Sequence, residues 1–467
     1  MTPPTFSNPY QFDMLMLEPV HAMMHKGIKI DQEEKKRLQD EALSGWKKDQ
    51  DTLDGVIGLV DKHGEPLSFN VSSTKWVPHY LYSDLGLPPR KRKGKSIADD
   101  AALRSLMAEC SEKVSSLKQE GAKRRWMEGF IACRLILNIR GRRKQISSFL
   151  GLSITKGVLD GTAPFEDDDG RIRGTVSVGG TKTARFSHSK TLWGTGINLA
   201  TVPRKLRSMF VPDDGYEFIE FDLERGESWV YAHLSEDPEL LRIHLQGLDF
   251  HSETAAAISS VFGSPLDLSW IIENRKDRAY KIRFLGKKIN FAVAYRMTPF
   301  MGAITVNAEA DETGITITTS KFAEGMEIWK AKYFMIESNW WNEIEAQLKS
   351  TRTLRTPYGR EHMFHDRINK ETLNSATAYV PQSTSVDYLN RGWLKVHHDY
   401  QEKGAWDMSV LAQTHDSILV QLKEGNRDEA IPAINSLMKS ELTIKDRTFT
   451  IPVEGSAGPN WKDLSAA

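Results

Sequence analysis

The chain has few of the features that mark secreted or membrane proteins. Its 467 residues include only two cysteines, Cys110 and Cys133, which excludes a disulfide framework and fits a reducing compartment. It has no run of eighteen apolar residues, and no basic N-terminal segment precedes an apolar one, so neither a membrane span nor an export signal is expected. No Cys/His cluster has the spacing of a zinc site. These absences predict a cytoplasmic protein with no membrane partner.

The chain also lacks net charge, with 62 basic and 62 acidic residues. The charge is unevenly distributed, because the segment from Arg90 to Lys144 has 16 Lys or Arg residues against 6 Asp or Glu residues. Its first part, Pro88–Lys95, is expected to be a basic turn or loop. Such a segment can follow a phosphate backbone. A solvated helical face explains the same pattern, and the segment alone does not separate the two interpretations.

The spacing of apolar residues predicts an α+β chain, and the length predicts roughly three domains. The N-terminal region is expected to be helical, with Asp31 and Glu34 in the pattern of a capping box. Further expected elements are helices over 99–149, 235–258, 266–297 and 321–349, and β-structure at 170–178 and 217–223. Two apolar runs around a polar centre predict a β-hairpin over Met408–Leu422, with His415 and Asp416 at or beside its turn.

Two aspartates, Asp222 and Asp416, each end or interrupt an apolar run of strand character. If the two strands lie side by side, the carboxylates can hold divalent ions, since Mg²⁺ prefers oxygen ligands and usually takes one or two carboxylates. Two such ions stabilise the attacking and leaving oxygens when a 3′-hydroxyl attacks an α-phosphate. Taken singly, each residue is better explained as a turn aspartate or a helix cap, so the metal interpretation depends on the other motifs.

A predicted helix between the two aspartates carries Arg283, Lys287, Phe291 and Tyr295 at steps of four residues. Each step of four rotates the position by only about 40° beyond a full turn, so the four side chains share one face. Cations on that face can bind phosphates, and the aromatic rings can pack against a base and a sugar. An amphipathic helix with core aromatics and solvated cations is the alternative. The mixture of both residue types on one face favours the nucleotide interpretation.

These motifs resemble the polymerase portion of family A DNA polymerases, the bacterial DNA polymerase I group. FDLERGESWVYAHLS resembles motif A of the family, RFLGKKINFAVAYRM resembles motif B, and QTHDS resembles motif C. The shorter segments FNVSSTKW, TARFSHS, INLATVP, PQSTSVD and IPVEGSAGPNW also resemble family motifs. The matches follow the order of the family from about Leu17 to Trp461, which covers nearly the whole chain.

The resemblance implies a role for each matching residue. Two Mg²⁺ ions, for which Mn²⁺ can substitute, would be held by Asp222, Asp416 and the backbone carbonyl of Leu223. The triphosphate and the nascent base pair would be contacted by Arg283, Lys287, His251, Phe291 and Tyr295, and Lys287 could protonate the leaving pyrophosphate. Glu227 would lie under the sugar and exclude a 2′-hydroxyl. The primer–template would be held by Arg185, Asn198, Gln382 and His415, through contacts that carry no sequence information.

The fold implied by the resemblance is the right-hand polymerase fold, with a thumb, a palm built on an antiparallel sheet, and helical fingers. The thumb is expected at 10–165, the palm at 166–236 and 376–467, and the fingers at 237–375. The expected partners are primer–template DNA and dNTPs, and the chain is expected to be a monomer in a bacterial or phage-infected cell. A separate exonuclease or processivity factor is a candidate partner. The thumb-like pattern begins so close to Met1 that neither a proofreading nor a 5′ nuclease domain is expected, whether the chain is naturally short or a cut piece.

Several positions depart from the family pattern. Ser417 stands where motif C usually continues with Glu, so any role of a third carboxylate is lost or moved to another residue such as Glu224. Ala292 and Arg296 replace glycines on the helix that moves during closure, which should stiffen it. By analogy with the family, Phe291 implies discrimination against dideoxynucleotides.

The expected function is template-directed, primer-dependent DNA synthesis from dNTPs by two-metal-ion nucleotidyl transfer. A single-subunit RNA polymerase of the phage type would share the architecture, but Glu227 at the sugar position argues against it. A non-catalytic DNA-binding relative is a third hypothesis. A relative that had lost its activity would not be expected to keep the four matching residues together, and this chain has Asp222, Asp416, Arg283 and Lys287.

Overall fold

A computed structural model of the chain describes residues 8–92, 94–155, 158–162 and 165–466. Long helices and antiparallel sheets alternate along the chain, so the predicted α+β class is confirmed. Within these ranges, no helix combines the length and the apolar character required to cross a membrane.

The N-terminal third is built mainly from long helices, most of which share one hydrophobic core, whereas the buried side chains of the first helix belong to the core beneath the central sheet. Its elements are α1 (Pro9–Lys26), β1 (Ile28–Ile30), α2 (Gln32–Ile57), α3 (Trp76–His79), β2 (Lys91–Arg92), β3 (Lys95–Ser96), α4 (Asp100–Ser116), α5 (Glu120–Phe149), β4 (Leu152–Thr155) and β5 (Val158–Thr162). The carboxylate of Asp31 accepts a hydrogen bond from the backbone N–H of Glu34 at 2.9 Å, so the predicted start of α2 is confirmed.

The structure adds detail to two sequence expectations in this region. The basic segment expected as a turn or loop has two short strands on either side of its turn, because β2 pairs with β3. The backbone of Gly94 has φ +78°, which permits the tight turn. The helix expected over 99–149 is interrupted where Leu117 becomes extended. Just before that break, the hydroxyls of Ser115 and Ser116 donate to the carbonyls of Ser111 and Lys113, which competes with further helix growth.

The middle of the chain begins with short strands and one long strand. Its first elements are β6 (Arg171–Ile172), β7 (Thr175–Ser177), β8 (Ser187–Ser189), β9 (Phe210–Val211), β10 (Tyr216–Leu223) and α6 (Gly226–Ser235). Short 3₁₀ turns at Leu199–Thr201 and Arg204–Met209 precede β9. Helices α7 (Pro238–Leu245), α8 (Phe250–Ile258), α9 (Leu268–Glu273), α10 (Tyr280–Ala294), α11 (Pro299–Asn307), α12 (Ala310–Thr313), α13 (Thr319–Lys332) and α14 (Asn342–Ser350) then follow, and most of them share a second core.

Capping aspartates divide what the sequence predicted as continuous helices. Asp237 accepts hydrogen bonds from two backbone N–H groups at the start of α7, and Asp249 does the same for α8. Between them Gly247 has φ +64°, which ends α7. In the next stretch, the side chain of Asn274 donates to the carbonyl of Trp270 and ends α9. Local capping therefore overrides the apolar periodicity on which the longer helices were predicted.

The C-terminal region completes the central sheet. Its elements are β11 (Thr353–Arg355), β12 (Glu361–Met363), α15 (Lys370–Val396), β13 (Ser409–Gln413), β14 (Ser417–Lys423), α16 (Arg427–Met438), β15 (Leu442–Ile444), β16 (Arg447–Phe449), β17 (Val453–Gly458) and β18 (Ser465–Ala466). The sheet has the order β13-β14-β10-β17-β18, and all neighbouring strands are antiparallel. The predicted hairpin over Met408–Leu422 is confirmed as β13 and β14.

Both faces of strand β10 are covered by protein. Phe218 packs into the core of the N-terminal helices, whereas Ile219 and Phe221 pack into a third core beneath the sheet. Because side chains alternate along a strand, Glu220 and Asp222 share the face of Phe218. This alternation places the carboxylates of Glu220 and Asp222 on one face of the second half of the strand.

Helices α8 and α10 approach each other closely at Gly286. A Cβ atom at this position would lie 2.6 Å from the carbonyl oxygen of His251 and 2.9 Å from the backbone nitrogen of Ala255. Both neighbours belong to the backbone of α8, so they cannot rotate away as a flexible side chain could. Glycine at 286 therefore sets the distance between the two helices.

We expect Gly286→Ala to lower the melting temperature, because overpacking of this kind costs about 1–3 kcal/mol. The matched control is Gly141→Ala in α5, where an added Cβ has no heavy atom within 4 Å. That change should raise stability by up to about 1 kcal/mol through helix propensity. Thermal unfolding of the two variants and the parent measures the difference. Equal melting temperatures for the two variants would contradict the close-approach argument.

Candidate active site

The backbone ladder between β10 and β14 brings Asp222 and Asp416 together. Asp222 lies directly opposite Ser417 in the register, and the backbone N–H of Leu223 donates to the carbonyl of Asp416 at 2.9 Å. Both aspartates are exposed, whereas Leu223 and Ser417 are buried. The two carboxylates are therefore held by main-chain hydrogen bonds at an accessible end of the sheet.

Three other carboxylates act on Asp222, and the cations described near them are Lys287 and Arg207, whose Nη1 is 3.8 Å from Glu220 Oε1. Partial enclosure by the surrounding protein is the largest cause that raises the pKa of Asp222, and repulsion from Asp416, Glu220 and Glu454 raises it further. Lys287 acts in the opposite direction. Glu454 lies directly across from Asp222 on β17. A site with oxygen donors and excess negative charge has the chemistry that attracts a divalent cation.

Ser417, the position at which this chain departs from motif C, is hydrogen-bonded to a carboxylate on the neighbouring strand. Its hydroxyl donates to Glu220 Oε1 at 3.0 Å, and Trp461 Nε1 approaches the same oxygen at 3.3 Å. Arg207 stacks on the ring of Trp461, with its guanidinium carbon 4.5 Å from the ring centroid. Glu224 instead accepts from its neighbour Arg225. The carboxylate that contacts Ser417 is therefore Glu220, while Glu224, the suggested replacement for the third carboxylate, is paired with Arg225.

Helix α10 presents the predicted row of four side chains. Arg283 forms a two-point ion pair with Asp249, at 2.9 Å from Nε to Oδ2 and 3.1 Å from Nη2 to Oδ1. Within the described ranges, Lys287 forms no ion pair. The ring of Phe291 is 54% exposed and lies 6.2 Å from the ring of Tyr295. The row thus combines one paired cation, one available cation and two aromatic side chains.

His251 is held by a buried amide. Asn290 Oδ1 accepts hydrogen bonds from Thr254 Oγ1 and Trp329 Nε1, both at 2.7 Å. Because an indole nitrogen only donates, these contacts fix the orientation of the amide, and its Nδ2 then donates to His251 Nδ1 at 3.0 Å. The imidazole proton is therefore on Nε2. Burial is the main cause that lowers the pKa of His251, to about 3, with Arg283 adding to the effect, so the ring is neutral at pH 7.

Glu227 connects three parts of the site. Its Oε1 accepts from Arg185 Nη2 at 2.7 Å, and its Oε2 accepts a short hydrogen bond from the hydroxyl of Tyr295. Burial raises the pKa of Glu227, while Tyr295 and Arg185 oppose that shift. The carboxylate is thus fixed between α6, α10 and the segment before β8.

The four side chains expected to hold DNA lie on different elements. His415 lies beside Asp416 at the turn, and its partial enclosure by the protein, followed by the nearby Arg185, lowers its pKa. Asn198 precedes the 3₁₀ turn at Leu199–Thr201, and its buried Oδ1 has no hydrogen-bond partner in the described structure. Gln382 is partly buried on α15. The structure thus brings Arg185 near His415 and leaves a polar acceptor available on Asn198.

Sequence reasoning missed three residues that shape the site: Asp249, Asn290 as the anchor of His251, and Glu220. Asp249 had a readable local signal, because it precedes the helix start FHSETA in the manner of an N-cap. Its pairing with Arg283 across 34 positions had no local signal. The contact between Glu220 and Ser417 depends on the strand register, which sequence alone did not provide.

Comparisons with known proteins show the family of the chain. The family model for DNA polymerase family A matches residues 50–463. The chain belongs to DNA polymerase family A. It is 24% identical over 472 residues to DNA polymerase I of Rhizobium leguminosarum, which covers 96% of this chain and 40% of that protein. It is 25% identical over 407 residues to DNA polymerase I of Pseudomonas aeruginosa, which covers 85% of this chain and 38% of that protein.

A solved structure resembles this family A chain over almost its whole length. It is the POL domain of Pol1 from M. smegmatis in complex with a DNA primer–template and dNTP, with a TM-score of 0.68 and 20% identity. The match covers 97% of this chain and 70% of that one, and the likeness confirms the polymerase fold predicted from the sequence. The chain spans about two fifths of the length of the curated relatives above.

We expect Asp222→Asn to raise the melting temperature of the metal-free protein, because it removes one of the mutually repelling carboxylates. The matched control is Asp446→Asn, which neutralises an exposed aspartate for which no contact is described. In differential scanning fluorimetry with EDTA, only Asp222→Asn should be stabilised. Added Mg²⁺ should stabilise the parent and the control more than Asp222→Asn. A metal-free melting temperature at or below that of the parent would contradict the repulsion inferred here.

Proposed function

We propose that this chain catalyses template-directed, primer-dependent synthesis of DNA from dNTPs. The observation that carries the proposal is the placement of Asp222 beside Asp416 by the β10–β14 ladder, with Lys287 of α10 near enough to lower the pKa of Asp222. Carboxylates for cations and a helix face for a triphosphate are the two parts that nucleotidyl transfer requires. Membership of DNA polymerase family A supports the same activity.

The residues present fit a divalent metal. Asp222 and Asp416 offer accessible carboxylates, and the carbonyl of Leu223 would be an additional oxygen ligand. The pKa of Asp222 is raised by enclosure and, after it, by the neighbouring carboxylates, whose charge a cation would offset. Mg²⁺ suits this all-oxygen donor set, and Mn²⁺ can replace it. Two bound ions would stabilise negative charge on the attacking and leaving oxygens of phosphoryl transfer. Glu220, held by Ser417 and Trp461, adds negative charge that favours cation binding.

The face of α10 receives the triphosphate of the incoming nucleotide. Lys287 is the available cation and is the candidate donor of a proton to the leaving pyrophosphate. Arg283 must exchange its pairing with Asp249 for phosphate oxygens, or contact them with its three remaining N–H groups. His251, with its proton on Nε2, can donate one neutral hydrogen bond to a phosphate. Phe291 and Tyr295 pack against the base and sugar.

Glu227 acts as the gate against ribonucleotides. Its two oxygens already accept from Arg185 and Tyr295, so the side chain cannot swing away without leaving those donors unpaired. A 2′-hydroxyl in the same space would clash with the carboxylate or lose its solvation. The same contact fixes the hydroxyl of Tyr295 at the C-terminal end of α10.

The primer–template lies across the central sheet. Arg185, Asn198, Gln382 and His415 contact it from the palm, which is assembled from 166–236 and 376–467. The basic helical lobe at 10–165 serves as the thumb, and 237–375 serves as the fingers. Contacts from cations to the phosphate backbone give affinity without sequence preference. We also propose that the chain acts as a monomer in a bacterial or phage-infected cell. Any exonuclease or processivity factor would then be a separate chain.

Primer extension tests the activity directly. With Mg²⁺, dNTPs and a short labelled primer–template, the parent should extend the primer, and Asp416→Ala should abolish extension. DNA binding by Asp416→Ala should stay close to that of the parent, because Asp416 is assigned to the cations and not to the duplex. Substantial residual synthesis would contradict the role of Asp416, and extension with NTPs alone would indicate an RNA polymerase. Binding by the parent without any synthesis would favour a non-catalytic relative.

Glu227→Ala should increase the use of ribonucleotides, because the space under the sugar opens and the carboxylate is removed. The measured quantity is the ratio of kcat/KM for dNTPs to kcat/KM for NTPs. Glu273→Ala is the matched control, since Glu273 is exposed on α9 and no contact is described for it. The ratio should fall at least about tenfold, a difference of about 1.4 kcal/mol in discrimination, for Glu227→Ala only. An unchanged ratio would remove Glu227 as the gate.

A further inference from the structure

Three potential metal ligands meet where the N-terminal helix α1 approaches the C-terminal end of α15. They are Glu18 on α1, and His397 and Glu402 on and just after a π-helical turn at His397–Gln401. One ligand atom from each of the three lies within 4.8 Å of the others. Because Glu18 is separated from the other two by almost the whole chain, no motif in the sequence could have shown this group.

The imidazole of His397 is what distinguishes this cluster from an ordinary group of surface acids. The residue is only 4% exposed, and neither ring nitrogen has a partner at ordinary hydrogen-bond geometry, although the side chain of Gln401 lies close enough to act on the ring. Its Nε2 is 3.7 Å from Glu402 Oε1, which is too far for a hydrogen bond. Burial lowers the pKa of His397, so the ring is in the neutral form that ligates metals. A buried imidazole directed at two carboxylates is therefore left with an unused lone pair.

Glu402 is oriented by a second histidine. His398 Nδ1 is 2.8 Å from Glu402 Oε2, which leaves Oε1 directed toward His397. Outer partners of this kind commonly fix the orientation of a ligating side chain. A π-helical turn, which often occurs at functional sites, supplies both histidines.

The cluster is separate from the proposed polymerase site. The side chain of Gln401, in the same π-helical turn, accepts from the backbone N–H of Val410 near the start of β13, at 3.5 Å. The turn that carries Asp416 follows the other end of that strand. At about 3.3 Å per residue, roughly 10 Å of strand lies between Val410 and the end of β13 at Gln413. A cation at this cluster would join α1 to the palm and would not contact the reacting groups.

We propose that Glu18, His397 and Glu402 form a second metal site, which binds a first-row transition ion such as Zn²⁺ and fastens α1 to the C-terminal end of α15. Imidazole is a good ligand for Zn²⁺ and a poor one for Mg²⁺, which prefers oxygen alone. Zn–N and Zn–O bonds of about 2.0–2.1 Å place tetrahedral ligands about 3.3 Å apart, so the exposed side chains of Glu18 and Glu402 must move slightly inward. Water completes the coordination.

Zinc binding is measured on the full chain carrying Asp222→Ala and Asp416→Ala, so that the proposed polymerase site does not contribute. Calorimetric titration with Zn²⁺, together with metal analysis after dialysis, should give a single bound ion. Zinc should also raise the melting temperature, since a ligand that binds only the folded state stabilises it. Adding Glu18→Gln or Glu402→Gln should weaken the binding at least about tenfold. Glu441→Gln, at an exposed glutamate for which no contact is described, should leave binding unchanged.

The proposal would be overturned if Glu18→Gln and Glu402→Gln bound zinc as tightly as the parent background does. It would also be overturned if excess Mg²⁺ readily displaced the zinc. Glu18→Gln is the decisive variant because its side chain is exposed, whereas His397→Ala removes a buried ring and can unfold the end of α15. The readout does not depend on DNA synthesis. A chain that fails to extend primers but binds zinc would therefore disprove the proposed function and leave this site intact.

Discussion

The whole candidate site depends on the antiparallel pairing of β10 with β14. The ladder runs without interruption from Tyr216 to Asp222, and the Leu223 N–H then bonds to the carbonyl of Asp416. These main-chain bonds hold two like charges side by side, a position that free side chains would avoid. Apolar side chains on both faces of β10 stabilise the ladder and thereby offset the repulsion.

Several polar side chains of the site are already paired with other protein groups. Arg283 is paired with Asp249, Glu227 is held by Arg185 and Tyr295, and Asn290 anchors His251. Each pair positions a side chain in advance, which reduces the entropy lost when a substrate binds. Asp222 and Asp416 are the exception, because the carboxylates near them, Glu220 and Glu454, increase the negative charge instead of balancing it. The excess of negative charge is therefore concentrated where a cation would bind.

The sequence predicted the elements whose residues are close in the chain. The β13–β14 hairpin, the start of α2 at Asp31 and the row of four side chains on α10 follow from periodicity or local capping, and all three are present. Strand β17 was not predicted, because the run VEGSAG contains two glycines and little apolar character. Its position next to β10 is decided by tertiary pairing, and this pairing is what brings Glu454 opposite Asp222.

The residues that sequence reasoning missed are those whose partners are distant in the chain. Ser417 is a departure from the family motif when read alone, and the sequence indicated only that a carboxylate had been lost. In the folded chain, Glu220 lies on the adjacent strand and on the same face as Asp222, and it accepts from Ser417. The negative charge missing from one strand is therefore present on its neighbour. A change in one motif of a sheet has to be judged together with the residues that the register places beside it, since charge acts through space and not along the chain.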